Sequence, residues 1–187
     1  MVLKWNGPLL AAAMLTTVLI LPAAAGTRMA TGGAVVPPSG FIRFCIAHSR
    51  ECLVSAVKPA VVMLSKDRRA ELDRVQSEVN RAIAPRENPS HVWDYAEAGY
   101  GDCNTFALTK RRALIALGWP EEALLLAAAY DEFGEGHLVL IARTSDGDLA
   151  LDNRTAPVVA WSDLPYRWVQ MQSPLSPARW VRIVSQK

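Results

Sequence analysis

Three cysteines and three histidines occur in 187 residues, so each can be weighed for chemistry. Cys103 stands in "YGDCNTF" at the start of a stretch with helical periodicity. A small apolar filler, a ligand or a nucleophile would each suit that place. A thiol attacks only as thiolate, and two things favour that form: the positive end of a helix and an imidazole that takes the proton. Gly99 and Gly101 give the preceding loop freedom to bring backbone N–H groups near a substrate carbonyl. His137 opens the apolar run "HLVLIART" after the polar approach "DEFGEG". Asp152 ends "LALD", the next such run. A carboxylate behind an imidazole fixes its tautomer and stabilises its charged form, so Cys103, His137 and Asp152 have the makings of a nucleophile, a base and an orienter. His48 and His91 lie in polar segments and read as surface residues.

The elements that must position this trio follow from periodicity. "SKDRRAELDRVQSEVNRAI" carries Leu72, Val75, Val79 and Ile83 on one face, with Ser65 as N-cap and Pro85 as stop. Its charged face reads as solvated. A second helix runs from about 103 to 117, with Phe106, Ala107, Leu114 and Leu117 inward, Lys110, Arg111 and Arg112 outward, and Gly118 as terminator. Strands follow at "ALLLAAAY", "HLVLIART", "LALDN", "YRWVQMQ" and "RWVRIVS". Helices first and consecutive strands later predict an α+β fold with an antiparallel sheet. A tight turn centred on Asp146-Gly147 would set Asp152 opposite Ile141 rather than His137, and a bulge or longer loop would bring the two closer.

The ends and the composition set the location. Lys4, an apolar run from about Leu9 to Leu21, and "PAAAG" make a three-part secretory signal over residues 1–25, with the mature chain starting at Gly26. Residues 26–40, rich in Gly and Pro, read as an irregular linker, and 41–187 as one domain. Export favours a disulfide between Cys45 and Cys52 over a zinc site built from Cys45, His48 and Cys52, and leaves Cys103 as the odd thiol. A formal net charge of +2 argues against a nucleic-acid partner. No stable membrane insertion is expected once the signal is removed.

"GYGDCNTFALTKRRALIALGWP", with "GHLVLIART" and "LALDN" behind it, resembles the bacterial transglutaminase-like cysteine proteinases. The resemblance extends to "EVNRAI", Trp93 and "YRWVQMQSPLSPARW". It implies a papain-like, transglutaminase-type core in which a helix bearing the nucleophile packs on an antiparallel sheet. It also implies Cys103 as nucleophile, His137 as general base and acid, and Asp152 as orienter of an exported thiol peptidase acting in the periplasm or outside the cell. The Cys103 N–H is the expected oxyanion donor, with a second from Trp93 or the Tyr95–Tyr100 loop, Tyr100 included. The substrate implied is a protein or peptide, with a surface adhesin as the family's example. The same thioester could pass to an amine, as in a transglutaminase or cell-wall amidase, and a binding module could keep the fold without the activity. In the adhesin-cleaving members acidic residues flank the cysteine on both sides and go with calcium dependence. Here Asp102 matches one side, but Asn104 and Thr105 stand on the other. Asp102 alone is a weak calcium candidate, so the expectation is no cofactor and little or no calcium dependence.

Overall fold

The computed structural model describes residues 1, 27–52, 59–90, 92–96 and 99–185. The signal expected over 1–25 lies outside these residues apart from Met1, as does His91. The periodic stretch after Ser65 forms a helix, Lys66–Ala82, and the Ser65 side chain accepts from the Arg68 N–H as foreseen. We call it α2, because a shorter helix, α1, precedes it at Ser39–Ala47. The helix that starts at Cys103, α3, covers Cys103–Ala116 and ends before Gly118, whose φ is +80°.

The described residues also form nine strands: β1 Thr31–Val35, β2 Ala84–Pro85, β3 Tyr100–Gly101, β4 Leu124–Tyr130, β5 Gly136–Thr144, β6 Gly147–Leu151, β7 Val159–Ala160, β8 Arg167–Ser173 and β9 Ser176–Ile183. Seven make one sheet in the order β1-β9-β8-β4-β5-β6-β7, every neighbouring pair antiparallel. The fold is thus α+β, with the helix that carries Cys103 packed on an antiparallel sheet. The two short strands β2 and β3 pair separately and in parallel, just before Cys103.

The strands of the sheet's centre are apolar on both faces, because each face is covered. One face holds Leu126, Leu138, Leu140 and Leu151 against Leu72 and Val75 of α2 and Phe106 and Leu114 of α3. The other holds Val139, Ile141 and Ala150 under Trp161, Tyr166 and Trp168. Burying such side chains stabilises the fold by roughly 1.5–3 kcal/mol each, which makes β4 and β5 a rigid platform.

Two segments differ from the sequence-based expectation. The stretch read as an irregular linker contains β1, which pairs with β9 at the sheet's edge, and Met29, which is buried. "TGGAV" has little strand character of its own, and its pairing partner supplies the order. Lys110 and Arg111, expected on the outer face of α3, are buried, while Arg112 is exposed. Lys110 Nζ donates to the Leu151 carbonyl at 3.3 Å, and Arg111 Nε to that of Leu124 at 3.1 Å. Leu151 and Leu124 lie on the strands either side of β5, opposite Leu140 and Ala142, so the middle of α3 sits over β5.

Candidate active site

Asp102 decides where α3 begins. Its Oδ1 accepts from the Asn104 N–H at 3.1 Å and the Thr105 N–H at 3.2 Å, and Oδ2 accepts from the Asn104 side-chain amide at 2.9 Å. The cap leaves the N–H of Cys103 unused. Gly101 has to be glycine: a Cβ there would stand 2.4 Å from Thr105 Cβ. Cys103 is a free, half-buried thiol at the first position of the helix. The helix end, one of the two things that favour a thiolate, does not prevail on its own. Burial pushes the thiol up to about 11, and the neighbouring Asp102 charge works the same way. Hydrogen bonds from the N–H groups of Leu138 and Asn104, with the Arg154 charge, only partly oppose this.

His137 and Asp152 are joined. The imidazole Nε2 lies 2.8 Å from Asp152 Oδ1, with both residues buried. The strand register explains how. The β5–β6 turn is centred on Ser145 and Asp146, one residue earlier than expected, so Thr144 pairs with Gly147 and Leu140 with Leu151. Continuing that register sets Asp152 opposite Val139, and His137 is its diagonal neighbour on the same side. Such diagonals lie within reach of an imidazole and a carboxylate without a bulge.

Three donors fix the Asp152 carboxylate. Oδ1 also accepts from the Arg154 N–H at 3.1 Å, and Oδ2 accepts from the Tyr166 hydroxyl at 2.5 Å. Burial works to raise Asp152, but the bonds from His137, Tyr166 and Arg154 outweigh it and hold the carboxyl below its ordinary range. Its main-chain carbonyl is held too, by Gln76 Nε2 of α2 at 2.7 Å and Asn80 Nδ2 at 3.3 Å. Both amides also donate to the Thr155 carbonyl. The second ring nitrogen of His137, Nδ1, is buried and has no hydrogen-bond partner. A buried nitrogen in that condition is costly unless it serves a reacting group.

Cys103 and His137 line the same two adjoining clefts. One, about 700 Å³, also has Arg86, Glu135, Asn153 and Arg154 on its walls. The other, about 250 Å³, is apolar, with Trp93, Ala129, Tyr130 and Leu138. Trp93 therefore reaches the cysteine's surroundings. It packs edge-on against Phe41 and leaves no room for a Cβ at Gly40, 2.3 Å from its Nε1. Tyr100 does not line either cleft. It is exposed under the Arg86 guanidinium, 4.3 Å from its ring centre, and borders a neighbouring depression. Cys45 and Cys52 form a disulfide, which removes the zinc alternative, and His48 instead meets Asp94 at 3.1 Å. Tyr166 and Gln76 escaped the sequence reading, and Lys110 was read as outward. Only the place of Tyr166 in "YRWVQMQ" hinted at anything beyond packing.

Comparison with known proteins follows from this geometry. The family model of the bacterial transglutaminase-like cysteine proteinases, BTLCP, matches residues 31–187. Comparison with curated proteins finds no match. Among solved structures, calcium-bound Legionella pneumophila LapG is similar at a TM-score of 0.53 and 20% identity, over 63% of this chain and 70% of that one. The EGTA-treated form of LapG gives 0.52 and 19%, over 81% of each chain. At such identity these likenesses speak for the fold.

They also correct the expectation of no cofactor and little calcium dependence. A protein of this fold has been solved with calcium bound and after treatment with a calcium chelator. The expectation rested on the acidic letters beside Cys103 alone. The described residues do not themselves assemble a cage: no group of three or more His, Cys, Asp or Glu could hold an ion, and both Asp102 oxygens accept from α3. No step below is routed through a metal.

Proposed function

We propose that this chain, which belongs to the bacterial transglutaminase-like cysteine proteinases, hydrolyses a peptide bond of an exported or surface protein through Cys103, His137 and Asp152. The observation that carries this reading is the buried His137–Asp152 pair: His137 lines the same clefts as Cys103, and its Nδ1 has no hydrogen-bond partner among the described residues.

Asp152 holds the proton of Nε2 in place, which fixes the tautomer in which Nδ1 is the basic nitrogen. Since burial keeps the thiol protonated at rest, Nδ1 takes the proton as sulfur attacks the carbonyl carbon. The resulting oxyanion would sit near the Cys103 N–H that the Asp102 cap leaves unused. Collapse breaks the C–N bond, the leaving amine takes the proton from Nδ1, and a thioester remains. Water, losing a proton to the same nitrogen, then releases the acid and restores the thiol.

For the substrate, the apolar cleft beside Trp93 and Ala129 and the mixed-charge cleft beside Arg86 and Arg154 suit an extended polypeptide crossing Cys103. A surface adhesin is the proposed class, and the periplasm the proposed site of action. The disulfide fits an oxidising compartment. Among the described residues no helix is long and apolar enough to cross a membrane.

The test is cleavage of a peptide library, and of adhesin fragments, by wild type and Cys103→Ala, each with added calcium and with EGTA. Cleavage by wild type alone supports the reading, and equal cleavage by both overturns it. A labelled amine in the same reactions separates outcomes: incorporation without cleavage assigns acyl transfer instead.

A further inference from the structure

We propose that Tyr166 is a positioning residue that sets the basicity and orientation of His137 by sharing the Asp152 carboxylate with it. The inference rests on the peptidase reading above and adds a residue that neither the sequence motif nor the family resemblance assigned.

Three observations carry it. The Tyr166 hydroxyl donates to Oδ2 of Asp152 at 2.5 Å, while Oδ1 serves His137 at 2.8 Å. One carboxylate is thus divided between a phenol and an imidazole, one on each oxygen. The Tyr166 ring stands edge-to-face on the His137 ring, with centroids 5.1 Å apart and planes at 64°. Tyr166 is itself held by Trp168, 5.8 Å away in the same edge-on manner, and Trp168 by Trp161. The hydroxyl therefore sits on a rigid aromatic stack.

The consequence has a definite sign. A hydrogen bond to Oδ2 draws charge from the carboxylate and weakens its pull on an imidazolium. With the hydroxyl present, His137 gives up its proton to a leaving amine more readily; without it, Asp152 holds the imidazolium more tightly. Other charges around the pair act on both forms of Tyr166 alike: Arg154 and Asp131 beside the phenol, Lys110 of α3 towards Asp152, and Asp102 beside Cys103. Removing only the phenol oxygen leaves these in place.

The experiment uses the purified chain with ¹⁵N-labelled histidine and follows the His137 ring by NMR over pH, its signal identified by its loss in His137→Asn. In Tyr166→Phe the titration midpoint is expected to rise by at least ~0.5 pH unit. In an Asp152→Asn background, adding Tyr166→Phe should move it no further, since the hydroxyl acts through the carboxylate. Replacement of tyrosine by 3-fluorotyrosine, a stronger donor, should lower the midpoint, and this keeps the test open if Tyr166→Phe folds poorly. An unchanged or lowered midpoint in Tyr166→Phe, or an equal shift in the Asp152→Asn background, overturns the inference. Cleavage by Cys103→Ala would instead overturn the peptidase reading, and it is read separately from the His137 titration.

Discussion

Cys103 and His137 share a cleft, but the two sides of that cleft are held by different means. The cysteine side is local: Gly101, Asp102, Asn104 and Thr105, contiguous in sequence, set the helix start and the thiol's place. The histidine side is assembled from afar. Asp152 is held by His137, Arg154 and Tyr166 through its carboxylate, and by Gln76 and Asn80 of α2 through its carbonyl. A local device costs little to build and little to lose. A buried network of many partners is rigid when complete and expensive when one member is removed.

That contrast can be broken first at Asp152. Asp152→Asn keeps the shape but loses the charge and the acceptor that fixes the His137 tautomer. Peptide cleavage should fall on the order of 1000-fold with the fold intact. A fall of only a few-fold would mean the two sides are not coupled. Gln76→Leu comes next. It removes a buried amide that donates to the Asp152 and Thr155 carbonyls, leaving them with Asn80 alone. Stability should drop by about 2 kcal/mol in urea unfolding and cleavage by about tenfold. Stability loss without activity loss would detach α2 from the site.

Asp102→Ala sharpens the comparison from the other side. Loss of the cap should cost about 1 kcal/mol. The same change removes a negative charge that raises the thiol, so alkylation of Cys103 should begin at lower pH than in wild type. The smallest effect on cleavage is expected at Lys110, which burial brings down to about 7 against the Asp152 charge. The unfolded chain binds that proton more tightly than the folded one. Stability therefore falls as pH drops from about 10.5 towards about 7 and then levels off. Lys110→Met should raise the melting temperature by a few degrees at pH 7 and below, and leave it unchanged above about pH 10.5. A gain that is the same at every pH would assign the effect to packing alone.

The same division governs what could be read from the letters. The helix α2 and the start of α3 were legible, because a Ser or Asp cap and an apolar period of three or four residues are local signals. The five long strands showed as apolar runs. The pairing of His137 with Asp152 was not legible, since it depends on whether the β5–β6 turn centres on Ser145-Asp146 or one residue later. Nor were Lys110 and Arg111 as buried cations, because their partners, the Leu151 and Leu124 carbonyls, come from the sheet. β1 needed β9 to exist. The expectation about calcium rested on the acidic letters beside one cysteine, and it was the likeness to calcium-bound LapG, not any cluster among the described residues, that overturned it.

The coupling of the two sides rests on whether His137 takes the proton of Cys103. Alkylation by iodoacetamide, followed across pH in wild type and in His137→Asn, measures it. Wild type should react at neutral pH at least about tenfold faster than the variant, which lacks a base to take the thiol's proton. Equal rates and equal onset in the two proteins would contradict the triad, and Cys103 would then be a half-buried thiol with no base.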